Sequence, residues 1–194
     1  MRPWTLLTRS PLLFAFALAA CSGAPEDVTE SAEAANTATE CTALRDTRPG
    51  QPSVYFAPYD RPEQQVLCVL SAARREVVIA HYNIRRENVI AKLIELKQRG
   101  VDVRVAVDEK NSGHEWNVGD DAMEAAGITL VRTKPRGSGA LMHLKIAVVD
   151  GEIAMTGSFN WNETAALAND ENMLVFKDPE IVDRYRTQVL EVLW

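Results

Sequence analysis

The feature that most constrains this fold is an Asp150-Gly151 pair set between two apolar segments. Residues 141–149 precede the pair and residues 153–156 follow it, and both segments are rich in aliphatic side chains. An Asp-Gly pair between two such segments is a strong signal for a two-residue β-hairpin. Because the strands of a hairpin are antiparallel, any sheet that contains them cannot be purely parallel.

The rest of the chain alternates short β-prone runs with segments of helical periodicity. Strands are predicted at residues 54–56, 76–84, 101–108, 128–133 and 172–176. Asp60-Arg61-Pro62-Glu63 has the form of a helix capping box, and Asp178-Pro179 suits the start of the last helix. This alternation predicts an α/β fold with a mixed central β-sheet flanked by helices on both faces.

Residues 1–20 have the pattern of an export signal. Two arginines precede an apolar run that is too short to span a bilayer as a helix. The run ends in Leu-Ala-Ala-Cys, which resembles the lipobox of bacterial lipoproteins and implies lipid attachment at Cys21. Ser22 after it resembles the outer-membrane sorting pattern, so we expect anchoring in the bacterial cell envelope, on the periplasmic side. The alternative is an ordinary cleaved signal followed by an incidental cysteine.

Residues 21–53 are predicted to be a flexible acidic tether, and residues 54–194 the folded domain. The tether has almost no large apolar side chains, so it cannot bury enough surface to offset the entropy of ordering it. Its end carries Cys41, which can form a disulfide with Cys68 under the oxidising conditions that exported proteins meet. Two unpaired thiols are the alternative.

His143 and Lys145 stand two residues apart on a predicted strand, so their side chains share one face. Placing an imidazole beside an ammonium on an apolar strand is costly unless an anion lies between them. The hairpin returns Ser158 and Asn160 towards this pair. A phosphate group fits such a site. The formal net charge of the whole chain is −6, which argues against a generic nucleic-acid-coating protein, since such proteins are usually basic.

The spacing H-x-K-x4-D-x6-G-S-x-N runs through this stretch and resembles the signature of the phospholipase D superfamily. Its six fixed positions are His143, Lys145, Asp150, Gly157, Ser158 and Asn160. The similarity extends over residues 54–194 and is greatest to the small single-motif members, the periplasmic bacterial endonucleases and the mitochondrial cardiolipin hydrolase group. A buried histidine beside a snorkelling lysine is the simpler interpretation of an isolated H-x-K, and the complete spacing argues against it.

The resemblance implies a phosphodiesterase with a phospholipase D-like fold that acts through a phosphohistidine. His143 would attack phosphorus, while Lys145 and Asn160 would hold the nonbridging oxygens. Glu171 would hold the far ring nitrogen of His143, and Ser158 would bond within the phosphate pocket. Asp150 and Gly157 are predicted to be structural, and the resemblance implies neither a metal nor another cofactor.

The single copy of the motif implies a two-fold homodimer that shares one active site. This chemistry needs a second histidine to protonate the leaving oxygen, and no other H-x-K exists in the chain. His81 lies in a predicted strand and is expected to be a core or supporting residue. His114 lies in a polar loop and is expected to be solvated.

The motif specifies a phosphodiester and leaves its substituents open. A membrane anchor and an acidic domain favour a phospholipid substrate, cleaved to phosphatidic acid. The alternative is a nonspecific, metal-independent endonuclease on DNA or RNA, with basic residues that follow the phosphate backbone. These basic residues, which can also be ordinary solvated charges, are Arg85, Arg86, Lys110, Arg132, Lys134 and Arg136. A catalytically silent, envelope-tethered binding protein is disfavoured by the intact motif.

Overall fold

The computed structural model describes residues 41–112 and 118–194. The predicted signal peptide, the lipid site at Cys21 and His114 lie outside these residues. The helices are α1 (Thr42–Asp46), α2 (Pro62–Ser71), α3 (Glu87–Gln98), α4 (Glu109–Ser112), α5 (Val118–Ala125), α6 (Glu163–Leu167) and α7 (Pro179–Leu193). The strands are β1 (Ser53–Ala57), β2 (Glu76–His81), β3 (Asp102–Asp108), β4 (Thr129–Thr133), β5 (Lys145–Val149), β6 (Ile153–Gly157) and β7 (Glu171–Phe176).

The strands form one mixed sheet in the order β1-β7-β6-β5-β2-β3-β4. Strands β2, β3 and β4 are parallel, and every other neighbouring pair is antiparallel. The predicted hairpin joins β5 to β6, with Val149 opposite Ile153. The prediction of a mixed α/β sheet is therefore confirmed.

Both faces of the sheet are covered by helices, as the sequence predicts. One face packs against α2, α3 and α5, and its core includes Leu70, Leu93 and Met123. The other face packs against α7 through Val182 and Val189. Successive β5 residues alternate between these two cores. Ala147 and Val149 belong to the first, and Ile146 and Val148 belong to the second. Strand β5 is therefore buried on both faces, which explains its continuous apolar run.

Residues 41–53, which the composition assigns to the tether, pack against the domain in the structure. Cys41 and Cys68 are joined in a disulfide that links the start of α1 to α2. Ala43 is fully buried and donates its backbone N–H to the Gln65 side chain at 3.0 Å. Residues 41–53 are therefore part of the fold, because the disulfide and this buried hydrogen bond attach a segment of polar composition to the domain.

Two predicted strands are longer than the observed ones, and both end at the same edge of the sheet. Strand β2 stops at His81 although β-prone residues continue to Ile84, and β5 begins at Lys145 although the apolar run begins at Leu141. The predicted capping box is wrong. Arg61 occupies the N-cap position of α2 without a side-chain cap, and Asp60 instead accepts a hydrogen bond from the backbone N–H of Phe56 at 2.9 Å.

The last predicted helix start is confirmed, because the Asp178 carboxylate accepts from the backbone N–H groups of Glu180 and Ile181. Within residues 41–112 and 118–194, every helix is too short or too polar to cross a lipid bilayer.

Candidate active site

His143 and Lys145 lie at the end of the sheet where β2 and β3 finish and β5 starts. The Lys145 ammonium is 3.3 Å from Nδ1 and 3.4 Å from Nε2 of His143, and it donates to the His143 carbonyl at 2.9 Å. The imidazole is exposed, whereas Lys145 is only 7% exposed. The predicted pairing of these two side chains on one face is therefore what the geometry gives.

Lys145 is a buried cation with weak compensation. Among the described residues it forms no ion pair with a carboxylate, and its nearest aromatic contact is the Tyr82 ring, 5.1 Å from Nζ to the centroid. Burial lowers the pKa of Lys145, and the charge of Glu171 partly opposes this effect. A buried ammonium without a paired anion is unfavourable, so an anionic ligand that reached it would be bound strongly.

His143 is held in its neutral form by the same surroundings. Partial burial lowers its pKa, the Lys145 charge lowers it further, and Asp108 opposes both. At neutral pH the imidazole therefore keeps a free lone pair, which a nucleophile or general base requires.

Tyr82 is a site residue that the sequence analysis missed. Its ring centroid lies 4.6 Å from that of His143, with the planes tilted by 54°. The same ring also faces Lys145, so one half-buried aromatic side chain contacts both members of the pair. The sequence signal that could have indicated Tyr82 as a site residue is its position directly after β2, next to His81.

The prediction that His81 is a core or supporting residue is confirmed. His81 is 1% exposed, it lies directly opposite Lys145 in the β2–β5 register, and its ring packs 4.4 Å from that of Trp161. Burial lowers the pKa of His81 to about 3, with a further contribution from the Lys145 charge. A neutral imidazole therefore fills the space beside Lys145 without adding a second positive charge.

The turn that carries Asn160 is fixed to the segment after β2. Trp161 donates its backbone N–H to Asn83 and accepts from Arg85 and Arg86 through its carbonyl, at 2.7–3.1 Å. This fixes the residue after Asn160 to the segment that follows β2, and the Trp161 ring packs against His81, the residue opposite Lys145 in the sheet. The Asn160 Oδ1 atom is buried without a hydrogen-bond partner among the described residues, which is unusual for a buried amide oxygen. An amide oxygen only accepts hydrogen bonds, so phosphate oxygens would have to bind the NH2 group of Asn160.

Gly157 is required by a close backbone approach. Its φ of +149° lies in the region that favours glycine, and a Cβ there would lie 2.2 Å from the Asn172 carbonyl oxygen. Any side chain would push β6 away from β7. The glycine of the motif is thus structural, in agreement with its predicted role.

Ser158 and Glu171 have partners that the resemblance did not imply. Ser158 Oγ donates to Glu171 Oε2 at 2.5 Å and accepts from the Asn172 backbone N–H at 3.0 Å. The other Glu171 oxygen accepts from the Asn169 side chain at 2.9 Å. Within the described part of the chain, the expected hydrogen bond from His143 to Glu171 is not formed. Both residues instead fix the β6–β7 connection, and Glu171 acts on Lys145 through its charge.

Asp150 lies at the opposite end of β5 from His143. Its carboxylate accepts backbone N–H groups from Arg74, Arg75 and Glu76 at 2.7–3.0 Å, and its own φ is +55°. Burial would raise its pKa, but these hydrogen bonds outweigh burial and lower it. The aspartate of the motif therefore lies in the hairpin turn and binds that turn to the start of β2.

Three of the six basic residues proposed to follow a nucleic-acid backbone are paired with acidic side chains. Arg132 makes two hydrogen bonds to the Glu124 carboxylate at 2.7 and 2.8 Å, and Arg86 lies 2.6 Å from Glu63. Lys134 lies 3.5 Å from Glu109. Arg85 donates to Asn83 at 2.8 Å, whereas Lys110 and Arg136 are exposed. Half of the proposed basic residues at this end of the sheet therefore have a carboxylate beside them.

Within residues 41–112 and 118–194, no group of three or more histidine, cysteine, aspartate or glutamate side chains is placed to hold a metal ion.

Residues 66–194 match the family model described as cardiolipin synthase, PLD-like domain. The chain is 32% identical over 125 residues to the mitochondrial cardiolipin hydrolase of Chlamydomonas reinhardtii, covering 64% of this chain and 54% of that protein. It is 27% identical over 133 residues to the phospholipase D of Rickettsia bellii, covering 69% and 64%. The chain thus spans between about half and two thirds of the length of these relatives.

Solved structures share the fold at lower identity. Nuc from Salmonella typhimurium, a phospholipase D family member, superposes with a TM-score of 0.66 at 24% identity, over 73% of this chain and 93% of Nuc. NucT from Helicobacter pylori gives a TM-score of 0.67 at 20% identity, over 73% and 94%. The arrangement of sheet and helices described above is therefore that of these two proteins.

Proposed function

Because the chain belongs to the PLD-like domain family of cardiolipin synthase type, we propose that it is a phosphodiesterase that hydrolyses phospholipids. The observation that carries this proposal is the buried Lys145 ammonium held 3.3 Å from the exposed His143 ring. A neutral nucleophile beside an uncompensated cation is suited to an anionic phosphorus centre.

The reaction proceeds in two displacements at phosphorus. A ring nitrogen of His143 attacks the phosphodiester, an N–P bond forms, and the bond from phosphorus to the leaving oxygen breaks as that oxygen takes up a proton. Water then attacks phosphorus, the N–P bond breaks, and His143 is regenerated with a phosphomonoester as product. Lys145 and the Asn160 amide stabilise the charge on the nonbridging oxygens.

The proton donor comes from a second subunit in this proposal. Among the described residues the other histidine is His81, and its pKa of about 3 and near-complete burial prevent it from delivering a proton to a substrate. A two-fold homodimer would bring two copies of His143 to one phosphorus atom. Mixing wild-type protein with excess His143→Ala protein should lower activity more steeply than the wild-type fraction falls, whereas a proportional fall would contradict a shared site.

A lipid substrate is favoured over nucleic acid because two of the arginines near the site are held in ion pairs. Arg86 and Arg132 are bound to Glu63 and Glu124, so they cannot follow a phosphate backbone without breaking those ion pairs. The relatives named cardiolipin hydrolase and phospholipase D agree with a lipid. Nucleic acid is the second candidate because Arg136 is exposed on the loop that precedes His143.

The sequence features of the N-terminus extend this proposal to the cell envelope. Lipid attached at Cys21 would hold the enzyme at a bilayer that contains its substrate. Growth with radiolabelled palmitate should label the wild-type protein and leave Cys21→Ala unlabelled. Equal labelling of the two proteins would remove the anchor.

The substrate is tested on the full chain with phosphatidylcholine vesicles, cardiolipin vesicles and single-stranded DNA in parallel, with His143→Ala as the control. Lipid turnover that the substitution abolishes supports the proposal. Cleavage of DNA alone, abolished in the same way, would transfer the proposal to a nuclease. An absence of turnover on all three substrates would contradict the enzymatic assignment itself.

A further inference from the structure

Asp108 is a buried carboxylate beside the active site, and it has no role in the reaction proposed above. It ends β3 and is 1% exposed. Oδ1 accepts the backbone N–H of Asn111 at 3.0 Å, and Oδ2 accepts the backbone N–H of Met142 at 2.8 Å. Both hydrogen bonds are buried, so neither is exchanged readily for water.

The bond to Met142 fixes the backbone one residue before His143. The segment 141–144 has the apolar composition of a strand, yet β5 starts only at Lys145. The Leu144 carbonyl accepts from the Tyr82 backbone N–H at 2.7 Å. His143 is therefore held between two backbone anchors, of which Asp108 supplies the one on its N-terminal side.

The hydrogen bond from Asn111 to Asp108 also helps to position the Tyr82 ring, which packs against His143. With its backbone held by Asp108, Asn111 donates its side-chain N–H to the Tyr82 carbonyl at 2.6 Å and accepts from Asn83 at 3.2 Å. The Tyr82 ring in turn contacts His143. One carboxylate thus organises two of the segments that surround the imidazole.

We propose that Asp108 is a positioning residue that holds the His143 imidazole in its attacking orientation through the backbone of Met142 and Asn111. This inference rests on the proposed function, because it concerns the same reaction. It assigns to Asp108 the orienting role that the family resemblance implied for Glu171, whose oxygens bind Ser158 and Asn169 instead.

The electrostatics agree with this geometry. The groups that face His143 are Lys145 on its own strand, Asp108 at the end of β3 and the Tyr82 ring after β2. Asp108 raises the pKa of His143 against burial and Lys145. Its loss should therefore lower the pKa of His143 and move the acid limb of the rate profile to lower pH.

The test compares Asp108→Asn with Asp102→Asn in the full chain. Both aspartates lie on β3, but Asp102 is at the opposite end and exposed, so the control removes the same charge away from the site. In Asp108→Asn, the amide NH2 would face one of the two N–H donors, and that anchor would be lost. We expect kcat to fall about 10- to 100-fold with KM within threefold, and Asp102→Asn to match the wild type.

A second readout does not depend on turnover. NMR titration of the His143 ring should give a lower pKa in Asp108→Asn than in the wild type and no change in Asp102→Asn. A folded Asp108→Asn variant with wild-type kcat, or with an unchanged His143 titration, would overturn the proposal. A wild-type protein without activity would instead contradict the proposed function, while the titration would still decide the role of Asp108.

If Asp108→Asn does not fold, hydrogen exchange in the wild-type protein can still test whether Asp108 holds the Met142 backbone. The Met142 amide should then be as strongly protected as the amides of β5, because it donates to a buried carboxylate. Exchange as fast as that of exposed loop amides would show that Asp108 does not hold this segment and would overturn the inference.

Discussion

The two ends of the β5–β6 hairpin carry residues of one sequence motif but are built in opposite ways. At the turn, each interaction of Asp150 is favourable: three backbone N–H groups satisfy its carboxylate, and its pKa is lowered. At the open end, Lys145 is buried without a paired carboxylate among residues 41–112 and 118–194, and His143 is close to a like charge when protonated.

This difference separates the parts of the motif that stabilise the fold from those that perform chemistry. A satisfied polar group lowers the free energy of the folded state, whereas an unsatisfied one costs stability and is retained where a ligand completes it. We therefore expect substitutions at the turn to reduce stability with little effect on kcat, and substitutions at the open end to do the reverse.

The largest effect should come from His143→Ala. Loss of the nucleophile is expected to reduce kcat by at least about 1,000-fold, because neighbouring groups cannot replace a covalent step. The melting temperature should change little, since the His143 side chain is exposed. Steady-state kinetics and calorimetry on the same preparation measure both, and a large loss of stability would contradict the division between the two ends.

Lys145→Met should lower kcat by about 100- to 1,000-fold, the usual effect of removing one charge that stabilises a transition state. The same change removes a buried cation that has no carboxylate partner in the described part of the chain, and it keeps the volume of the side chain. Chemical denaturation should therefore show equal or greater stability than the wild type. A clear loss of stability would mean that Lys145 is better compensated than its contacts indicate.

Asp150→Ala should give the opposite result. The variant leaves three backbone N–H groups without their acceptor and places alanine at a φ of +55°, so we expect a loss of about 2–3 kcal/mol in the free energy of unfolding. The kcat of the folded protein should stay within about twofold of the wild type. Asp150→Asn is the milder control, because asparagine tolerates the backbone conformation and keeps one acceptor oxygen.

The pH dependence of the two ends should differ as well. Because folding lowers the pKa of Asp150, its contribution to stability is present above the unfolded pKa of about 4 and is lost as the pH falls through the lower folded value. The stability gap between wild type and Asp150→Asn should shrink between pH 7 and pH 2. The acid limb of kcat/KM should instead lie below pH 6.5, the ordinary pKa of histidine. An acid limb above that pH would contradict the lowered pKa of His143.

Tyr82 offers the smallest and most selective test. Its ring contacts His143 and Lys145, so Tyr82→Phe should retain near-wild-type kcat. Tyr82→Leu should lose about fivefold to tenfold, as expected for the removal of one partly desolvated cation–π contact. Equal losses in the two variants would indicate that the hydroxyl, rather than the ring, matters.

The sequence predicted the sheet, the hairpin and the His143–Lys145 pair because each depends on local spacing. It overestimated the lengths of β2 and β5 at the end of the sheet that carries His143. The segments there are apolar enough to continue as strands, but they are bound by Asp108 and by the Trp161 backbone. Those contacts join residues 34 and more positions apart, and periodicity carries no information about them.

The partners of Glu171 were missed although they lie only 2 and 13 positions away in the chain, because strand spacing does not determine the direction of this side chain. The family resemblance implied a contact with His143, but in the structure the side chain of Glu171 binds Ser158 and Asn169. The disulfide likewise brings Cys41 and the residues after it into the fold, although their composition is that of a tether.

The central claim, that His143 is the nucleophile, is tested most directly by trapping the intermediate. The full chain is mixed with bis(4-nitrophenyl) phosphate, denatured within milliseconds at high pH to preserve an N–P bond, and digested for mass spectrometry. The account predicts a 4-nitrophenyl phosphoryl group on the peptide that contains His143, and none in His143→Ala. Substrate turnover with that peptide unmodified at all times, or turnover by His143→Ala at the wild-type rate, would contradict it.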